Sequence, residues 1–297
     1  MKASQYRSFL RSGAVAVCFA ALSIFAQDSF PGFSGEYLLE ETYVGESDVR
    51  RGTHTVQDFD ESDSVLRFIL TPRVSLGVLR LGADWERFSF GFPALTPLPN
   101  TLQSADLVVG LDTQFSNSIL VRFEAQPGVY GTNHFKIDTF NVPFVIGGTY
   151  IYNANVQFVV GVSVDAERKY PVLPGGGLRW KLHRQWVLDA VLPKPRLEYD
   201  PTKDIELYVG ANIKETNFRV DDRFGVTHGI SRLNNAVLTY SEVRTGVGCD
   251  WKLSSNATLT AEAGYQPYRN FDFYRADVRF RQHGSAPYGM ISLHGAF

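Results

Sequence analysis

The sequence predicts an all-β protein whose antiparallel strands close into an up-and-down transmembrane β-barrel. Three observations support this prediction: long segments in which apolar and polar side chains alternate, connections that are alternately tight and long, and an aromatic final residue after an export-type N-terminal segment. Composition excludes other classes. The formal net charge of -2 gives no electrostatic reason to expect nucleic acid as a partner. A mean hydropathy of -0.12 is too polar for a bundle of membrane helices.

The first 26 residues have the layout of a secretory signal peptide. Lys2 and Arg7 belong to a basic start, an apolar run follows, and Ala26 is the small residue at the expected cut. The apolar run is shorter than a helical membrane span requires. We therefore expect residues 1–26 to be removed after export and residues 27–297 to form a single barrel domain.

The strand signal is an alternation with a period of two residues. In "GVLRLGADWERFSF", Leu79, Leu81 and Trp85 fall on one face. Arg80 and Asp84 fall on the other, because strand pleating sends successive side chains to opposite faces. The same pattern occurs in "SILVRFEAQ", "DIELYVGANIK" and "VRTGVGCDWK". These segments have about ten to sixteen residues, more than soluble strands usually have and enough for a tilted strand to cross a bilayer.

Tight and long connections alternate along the chain. The tight ones lie near Arg73–Ser75, Ser116–Ser118, Asn153–Asn155, Asp200–Lys203 and Ser254–Asn256. The long ones lie near residues 45–61, 92–103, 131–139, 166–184, 220–235 and 267–285. Short turns at one end and long loops at the other are typical of an outer-membrane barrel. Six long and five tight connections join twelve strands, an even number as bacterial single-chain barrels have.

One stretch, "LPGGGLRWKLHRQWVLDAVLPKPRLEYD", leaves a second strand count open. Divided into three short strands instead of a loop and one strand, it raises the total to fourteen. The apolar parity switches between Leu188 and Leu197, on either side of Pro193 and Pro195. Proline lacks the N–H that a ladder needs, so a bulge or a break is expected there. Twelve strands is our prediction and fourteen is the alternative.

Aromatic residues occur at both ends of the predicted strands, as in the two interfacial girdles of a membrane barrel. The aromatic residues beside the tight turns are Phe115, Tyr150, Tyr152, Tyr199 and Trp251. Those beside the long loops are Phe88, Phe90, Phe92, Tyr130, Phe140, Phe218 and Tyr265.

The polar faces of the strands carry charges of both signs. Arginine or lysine on the lipid face at the bilayer midplane costs about 2–4 kcal/mol, so the charged set is expected to line the lumen. The lumen-lining candidates are Arg80, Asp84, Glu86, Asp106, Asp112, Arg122, Glu124, Glu206, Lys214, Glu242, Arg244, Asp250 and Glu262. Mixed charges either line a wet pore or pair across a narrow lumen and close it.

The final stretch "GMISLHGAF" places Ile291, Leu293 and Phe297 on the outward face of a last strand. That strand is expected to pair with the first strand, near residues 34–44, so that no edge stays open. An export segment, alternating strands and a terminal aromatic residue together resemble porin-like bacterial outer-membrane β-barrel proteins. In that group the terminal strand is the signal recognised by the barrel-assembly machinery.

The run "WVLDAVLPKPRLEYD" also resembles a stretch of a barrel family defined only as a domain of unknown function. These resemblances imply a location in the bacterial outer membrane. The implied partners are membrane lipid, lipopolysaccharide and the barrel-assembly machinery.

Three functions fit such a barrel. The first is a porin-like channel for passive passage of small solutes, the second a closed structural or surface-interaction barrel, and the third an outer-membrane hydrolase. For the hydrolase, the suggestive clusters are "GTNHF" around His134 and "DDRFGVTHG", which holds Asp221, Asp222 and His228. Neither matches a recognised hydrolase motif. Without a phosphate loop or a CxxC pair either, we expect no catalytic site, cofactor or metal.

Overall fold

The computed structural model describes residues 34–93 and 96–297. The predicted signal peptide, residues 1–26, lies outside the described residues. The strands are β1 (Gly35–Arg51), β2 (His54–Leu70), β3 (Arg73–Val74), β4 (Gly77–Gly91), β5 (Thr101–Ser116), β6 (Ile119–Ala125), β7 (Gly128–Gly131), β8 (Phe140–Asn141), β9 (Phe144–Ile151), β10 (Val156–Val164), β11 (Val172–Lys181), β12 (Trp186–Asp189), β13 (Arg196–Tyr199), β14 (Ile205–Arg219), β15 (Val237–Ser254), β16 (Ala257–Phe273), β17 (Val278–His283) and β18 (Ala286–Ala296).

The helical elements are short. They are the helix α1 (Phe224–Thr227) and the 3-10 turns Ile137–Thr139, Ser231–Leu233 and Tyr274–Ala276. Across residues 34–93 and 96–297, helices of the length and apolarity needed to cross a membrane are absent.

The first and last strands join and close the sheet. β18 pairs antiparallel with β1 from Glu36 opposite Ala296 to Val44 opposite Tyr288. At the end of this ladder Gly35 and the terminal phenylalanine exchange two backbone hydrogen bonds of 3.0 Å. On its other side β18 pairs with β16, which continues the ring. The predicted pairing of the last strand with the first is confirmed, so neither terminal strand is an open edge.

The barrel has fourteen strands, so the alternative count is confirmed and the count of twelve is wrong. β6 with β7, β8 with β9, and β17 with β18 each form one interrupted strand, and the two-residue β3 belongs to a turn. The extra strands come from the stretch that the lower count treated as a loop and one strand. β11, β12 and β13 form successive antiparallel pairs there. The hairpin of β12 and β13 is only four residues long on each side, which explains its weak periodic signal.

The outer surface of the barrel is apolar. Large apolar side chains exposed on the strands include Leu66, Phe68, Leu81, Leu107, Phe158, Trp180, Val209, Val247, Trp251 and Ile291. A soluble monomer rarely exposes so extended an apolar surface. A closed antiparallel barrel with an apolar exterior is the architecture of an outer-membrane protein.

Besides residues 166–184, which contain β11, two further predicted loops are strands in the structure. β1 and β2 continue through residues 45–61 to a tight turn at Gly52, and β16 and β17 cover much of residues 267–285. The polarity pattern inverts there, with Val49 and Phe59 buried inside while the outer surface carries charged side chains. We call the band of exposed apolar side chains around the barrel the apolar belt. Above this belt the outer surface of the barrel meets water and its interior is packed. The residues therefore alternate as before, but the polar face is now outside.

The barrel is narrower at its loop end than at its turn end. β5 pairs with β6 over Val109–Ser116 but with β7 over Gln103–Asp106. The top of β7 then meets β14 directly, in a parallel bridge between Gly131 and Arg219. We call the part enclosed by β1, β2, β4, β5, β7, β14, β15, β16 and β17 the upper barrel. β9 to β13, the side panel, complete the wall only at the turn end.

Candidate functional site: the lumen and its closure

Apolar side chains fill the lumen of the upper barrel, and we call this cluster the roof. Its buried members are Val49, Phe59, Phe88, Phe90, Leu98, Leu102, Tyr130, Phe218, Val220, Phe224, Leu233, Leu238, Tyr240, Phe271, Phe273, Ala276, Val278 and Phe280. The rings of Phe88 and Tyr240 have centroids 4.8 Å apart, and those of Phe90 and Phe271 are 5.2 Å apart. Close ring packing of this kind among the described residues excludes water from the loop end of the lumen.

The roof corrects part of the predicted loop-side girdle. Phe88, Phe90, Tyr130 and Phe218 are buried inside the upper barrel rather than exposed at a membrane interface. The inversion of polarity above the apolar belt explains the error, because period two alone does not say which face is inside. Phe140 and Tyr265, also predicted for this girdle, are exposed. Of the turn-side set, Phe115, Tyr150, Tyr152 and Trp251 are exposed as a girdle requires.

Beneath the roof lies a layer of ion pairs, the ionic layer, made by Glu61, Asp63, Glu86, Lys214, Glu242, Arg244 and Arg269. Arg244 contacts Asp63 at 2.9 Å and Glu242 at 2.6 Å. Lys214 of β14 lies 2.9 Å from Asp63 and 2.6 Å from Glu86, so it connects β14 to the mutually adjacent strands β2 and β4. Tyr240 links this layer to the roof, since its hydroxyl donates to Glu61 at 2.7 Å.

The ionic layer is held by opposite charge more than by complete hydrogen bonding. Arg269 is fully buried and its Nε lies 2.8 Å from Glu61, yet its guanidinium has no partner in hydrogen-bond geometry among the described residues. One carboxylate oxygen each of Asp63 and Glu242 is in the same situation. Each unsatisfied buried polar group costs about 1–3 kcal/mol. A layer of this kind blocks the lumen without being the most stable packing available to it.

Below the ionic layer the lumen holds a polar cavity of about 400 Å³, the vestibule. It reaches the tight-turn rim at Glu36 and Gly295, and it ends at Arg244 of the ionic layer. Its charged lining residues are Glu36, Glu40, Arg67, Lys194, Arg196, Arg244, Asp250 and Glu262. Inward positions of β15 occur at all three levels: Tyr240 in the roof, Glu242 and Arg244 in the ionic layer, and Asp250 in the vestibule.

The sequence-derived lumen candidates divide among these levels. Glu86, Lys214, Glu242 and Arg244 form much of the ionic layer, and Asp250 and Glu262 line the vestibule. The others lie along the wall. Arg80 pairs with Glu36 at 3.1 Å and with Glu124 at 3.2 Å. Arg122 pairs with Asp112 at 2.6 Å.

Two further candidates, Asp84 and Asp106, lie near Arg67. Arg67 itself was not among the predicted lumen residues. Asp84 forms an ion pair with Arg67, and Asp106 stands opposite Asp84 in the β4–β5 register. Glu206 has the same strand parity as Tyr208, whose hydroxyl donates to Glu262 at 2.6 Å.

The main residues that sequence reasoning missed are Glu61, Asp63 and Arg269 of the ionic layer. Glu61 and Arg269 fell in segments predicted to be loops, where charges are usually solvated. The signal that identifies them is the continuation of alternation into those segments, as in "FDESDSVLRF", where Phe59, Glu61 and Asp63 share one parity.

The residues of the predicted assembly signal lie on β18 and at the C-terminus. Ile291 is exposed on the outer surface and Leu293 is largely buried against its neighbours. The ring of Phe297 stacks on that of Phe68, with centroids 5.7 Å apart.

The cluster of Asp221 and His228, weighed for a hydrolase, has other contacts. His228 Nδ1 lies 2.8 Å from the carbonyl oxygen of Phe224, and its ring packs on that of Phe224. Asp221 pairs with Lys136 at 3.1 Å, and its hydrogen bond raises the pKa of Lys136 above the ordinary value. Within the two described stretches, groups of three or more histidine, cysteine or acidic side chains placed to hold a metal ion do not occur.

Several solved structures have a similar barrel. The COG4313 outer membrane channel from Pseudomonas putida F1 matches with a TM-score of 0.48 and 8% identity over 92% of this chain and 98% of its own. The P. putida toluene transporter TodX matches with a TM-score of 0.43 and 9% identity over 91% of each chain. The KdgM porin matches with a TM-score of 0.35 and 9% identity over 89% of this chain and 99% of its own. Because these TM-scores lie below 0.5, no property of these proteins is assigned to this chain.

At the level of sequence, no curated protein matches. A family model does match, over residues 23–282, and its description is "Domain of unknown function (DUF6268)". Because the match covers most of the 297 residues, the chain belongs to this family.

Proposed function

We propose that this outer-membrane barrel is a gated channel for the passive passage of small solutes. The observation that supports the proposal is the vestibule, a polar cavity of about 400 Å³ that reaches the tight-turn rim and ends at the ionic layer. A barrel with a purely structural role has no need of a wet half-lumen lined by charges. Charged and hydrogen-bonding wall groups are what polar solutes exchange for their hydration water.

Passage requires that the roof open, and the roof is built in a way that permits it. Leu98, Phe224 and Leu233 are roof members carried by connections rather than by strands. Connections of this kind move on nanosecond to microsecond timescales, much faster than strands separate. Displacing residues 96–99 and 221–235 removes part of the roof while the strand pairs of β4 with β5 and of β14 with β15 stay in place.

The competing function is a closed structural barrel, and the packed roof favours it. The two functions predict different effects of weakening the roof. A gated channel conducts once the loop-borne side chains are displaced, because the water that then enters separates the ion pairs beneath the roof and the vestibule provides the rest of the path. A closed barrel stays sealed, because the ionic layer beneath the roof is a second barrier.

Single-channel recording in planar bilayers tests the proposal. We expect the wild type to be closed with brief conductance steps, and the variant Leu98→Ser/Leu233→Ser to open far more often. Ile137→Ser is the matched control, since Ile137 is 86% exposed in a connection outside the roof. All three proteins are first shown to be folded by heat-modifiable migration on a gel. If the folded wild type and the roof variant are both silent, the closed barrel is the correct function.

A further inference from the structure

Strand pairing in the described barrel wall stops between β11 and β14, beside apolar side chains of the outer surface. β14 pairs with β13 only up to Gly210, and two more hydrogen bonds follow, from Ala211 N to Pro195 O and from Ile213 N to Pro193 O, both 3.0 Å. Beyond Ile213, among the described residues, this edge of β14 has no strand neighbour until it reaches β7.

The facing edge of β11 is also unpaired. β11 pairs with β12 over Arg179–Lys181, and its last hydrogen bonds on that side run from Ala190 N to Leu178 O and from Leu192 N to Gly176 O. Pro174 follows on this edge. Proline has no N–H to donate, so it fits a strand edge that has no partner. We call the gap between residues 172–176 of β11 and residues 213–217 of β14 the seam.

Side chains, not backbone pairs, hold the seam shut. Arg168, in the connection between β10 and β11, has its Nε 3.3 Å from Glu215 Oε1 of β14 and donates from Nη1 to Ser163 Oγ at 3.3 Å. Next to it, Asn217 Nδ2 donates to Asp165 Oδ2 at 2.6 Å. We call these four residues, Asp165, Arg168, Glu215 and Asn217, the latch. They can separate without breaking any strand pair of the barrel.

The seam has lipid on one side and the vestibule on the other. Val160, Val172 and Ile213, which flank it, are 68%, 56% and 42% exposed on the apolar outer surface. At its lower end the tip of the β12–β13 hairpin contributes Lys194 to the vestibule, and Ala211 lines the same cavity. Backbone groups at membrane depth are tolerated without strand partners only where they face protein or water. The unpaired edges therefore meet the latch or the water of the lumen.

We propose that the seam is a lateral portal through which small membrane-soluble molecules pass between the outer membrane and the vestibule. Such molecules reach the gap through lipid, displace the latch, and enter the lumen below the roof. The apolar residues along the gap favour uncharged, apolar or amphipathic molecules over hydrated ones. This inference rests on the proposed function for one step only, the exit of the molecule from the vestibule to the periplasm.

A reversible cross-link across the latch tests the portal. The free cysteine of the described chain, Cys249, is first replaced by alanine. Asp165→Cys/Asn217→Cys then places two thiols where side-chain atoms lie 2.6 Å apart. The matched control is Val209→Cys/Val247→Cys, a register pair on the outer face of β14 and β15, away from the gap. A short thiol-reactive reagent cross-links the two cysteines of either pair, and a reductant cleaves the cross-link again.

Entry is measured in a porin-deficient Gram-negative host with two probes. The fluorophore 1-N-phenylnaphthylamine reports membrane-soluble molecules, and hydrolysis of nitrocefin by a periplasmic β-lactamase reports hydrophilic ones. The roof variant Leu98→Ser/Leu233→Ser serves as the background, so that the route through the roof is open to nitrocefin. We expect closure of the latch to abolish the protein-dependent entry of the fluorophore, reversibly, while nitrocefin entry and the control pair are unaffected.

Other outcomes separate the two proposals. If closing the latch leaves fluorophore entry unchanged, or lowers both probes equally, the seam is not a portal but the channel stands. If neither probe enters through folded protein with the latch open, the proposed channel itself is wrong. Arg168→Gln provides an independent arm, because loosening the latch is expected to raise fluorophore entry in the wild-type background. Unchanged entry through this variant would also count against the portal.

Discussion

Arg244 is the residue on which the ionic layer depends. Its guanidinium faces Asp63, Glu242 and, at 3.6 Å, Glu61, and all four side chains are almost completely buried. A buried cation of this kind neutralises several carboxylates that have no access to water. Lys214 shares only Asp63 with it and cannot replace it at the other two. Stability and closure of the lumen therefore both depend on this one side chain.

We predict that Arg244→Met destabilises the barrel by about 3–5 kcal/mol, since it leaves uncompensated carboxylates in the interior. The measurement is the urea midpoint of unfolding in detergent micelles, followed by tryptophan fluorescence. Arg73→Met is the control, because Arg73 is exposed at a turn. Equal midpoints for the two variants would show that the layer does not contribute to stability.

Among the elements, the terminal strand was the most predictable and the β12–β13 hairpin the least. β18 alternates from Ala286 to Ser292 and has a partner that closure requires, so most of its parity and its pairing could be inferred from the sequence. The hairpin offers four residues per strand, too few to show a period, and prolines separate its halves. The hairpin is held by its pairing with β11 and β14. A local sequence pattern does not reveal such pairing between separate segments.

The candidate site was predictable to the extent that parity identifies inward positions. Arg80, Asp84 and Glu86 are inward on β4, as alternation indicates. Parity did not tell which charges meet, because partners such as Lys214 and Asp63 are far apart in sequence and adjacent only after closure. Nor did it reveal the roof, where the two faces of the strands exchange polarity above the apolar belt.

The terminal strand also carries a prediction about assembly. We propose that Ile291, Leu293 and Phe297 form the signal for the barrel-assembly machinery. Deleting Phe297 removes its stacking on Phe68 and two closing hydrogen bonds, so we expect less heat-modifiable protein in the outer membrane and unchanged export to the periplasm. Phe297→Tyr keeps the ring and is expected to assemble normally. Normal assembly of the deletion variant would contradict the assignment.

At the scale of the whole molecule, the lumen has a dry end and a wet end. The roof and the ionic layer occupy the upper barrel, whereas the side panel widens the turn end around the vestibule. Charges in the vestibule are balanced, with four acidic residues, Glu36, Glu40, Asp250 and Glu262, against the four basic residues Arg67, Lys194, Arg196 and Arg244. A lumen of this composition has little reason to prefer ions of either sign.

We predict that the roof variant conducts potassium and chloride about equally, so that its reversal potential in a salt gradient lies close to zero. Lys194→Glu in that background leaves five acidic and three basic groups in the vestibule and is expected to shift the reversal potential towards cation preference. Arg50→Glu, at the exposed tip of the β1–β2 hairpin, makes the same change of charge outside the lumen and serves as control. Equal shifts in the two variants would place the selectivity elsewhere.

The ring closure between Gly35 and Phe297 also determines when folding can finish. The two ends of the chain make the contacts of greatest sequence separation, and such contacts make folding slow. Until the last strand is present, the sheet has two open edges, each able to pair with another chain. We therefore expect the chain to stay prone to aggregation until the last strand is present and pairs with the first.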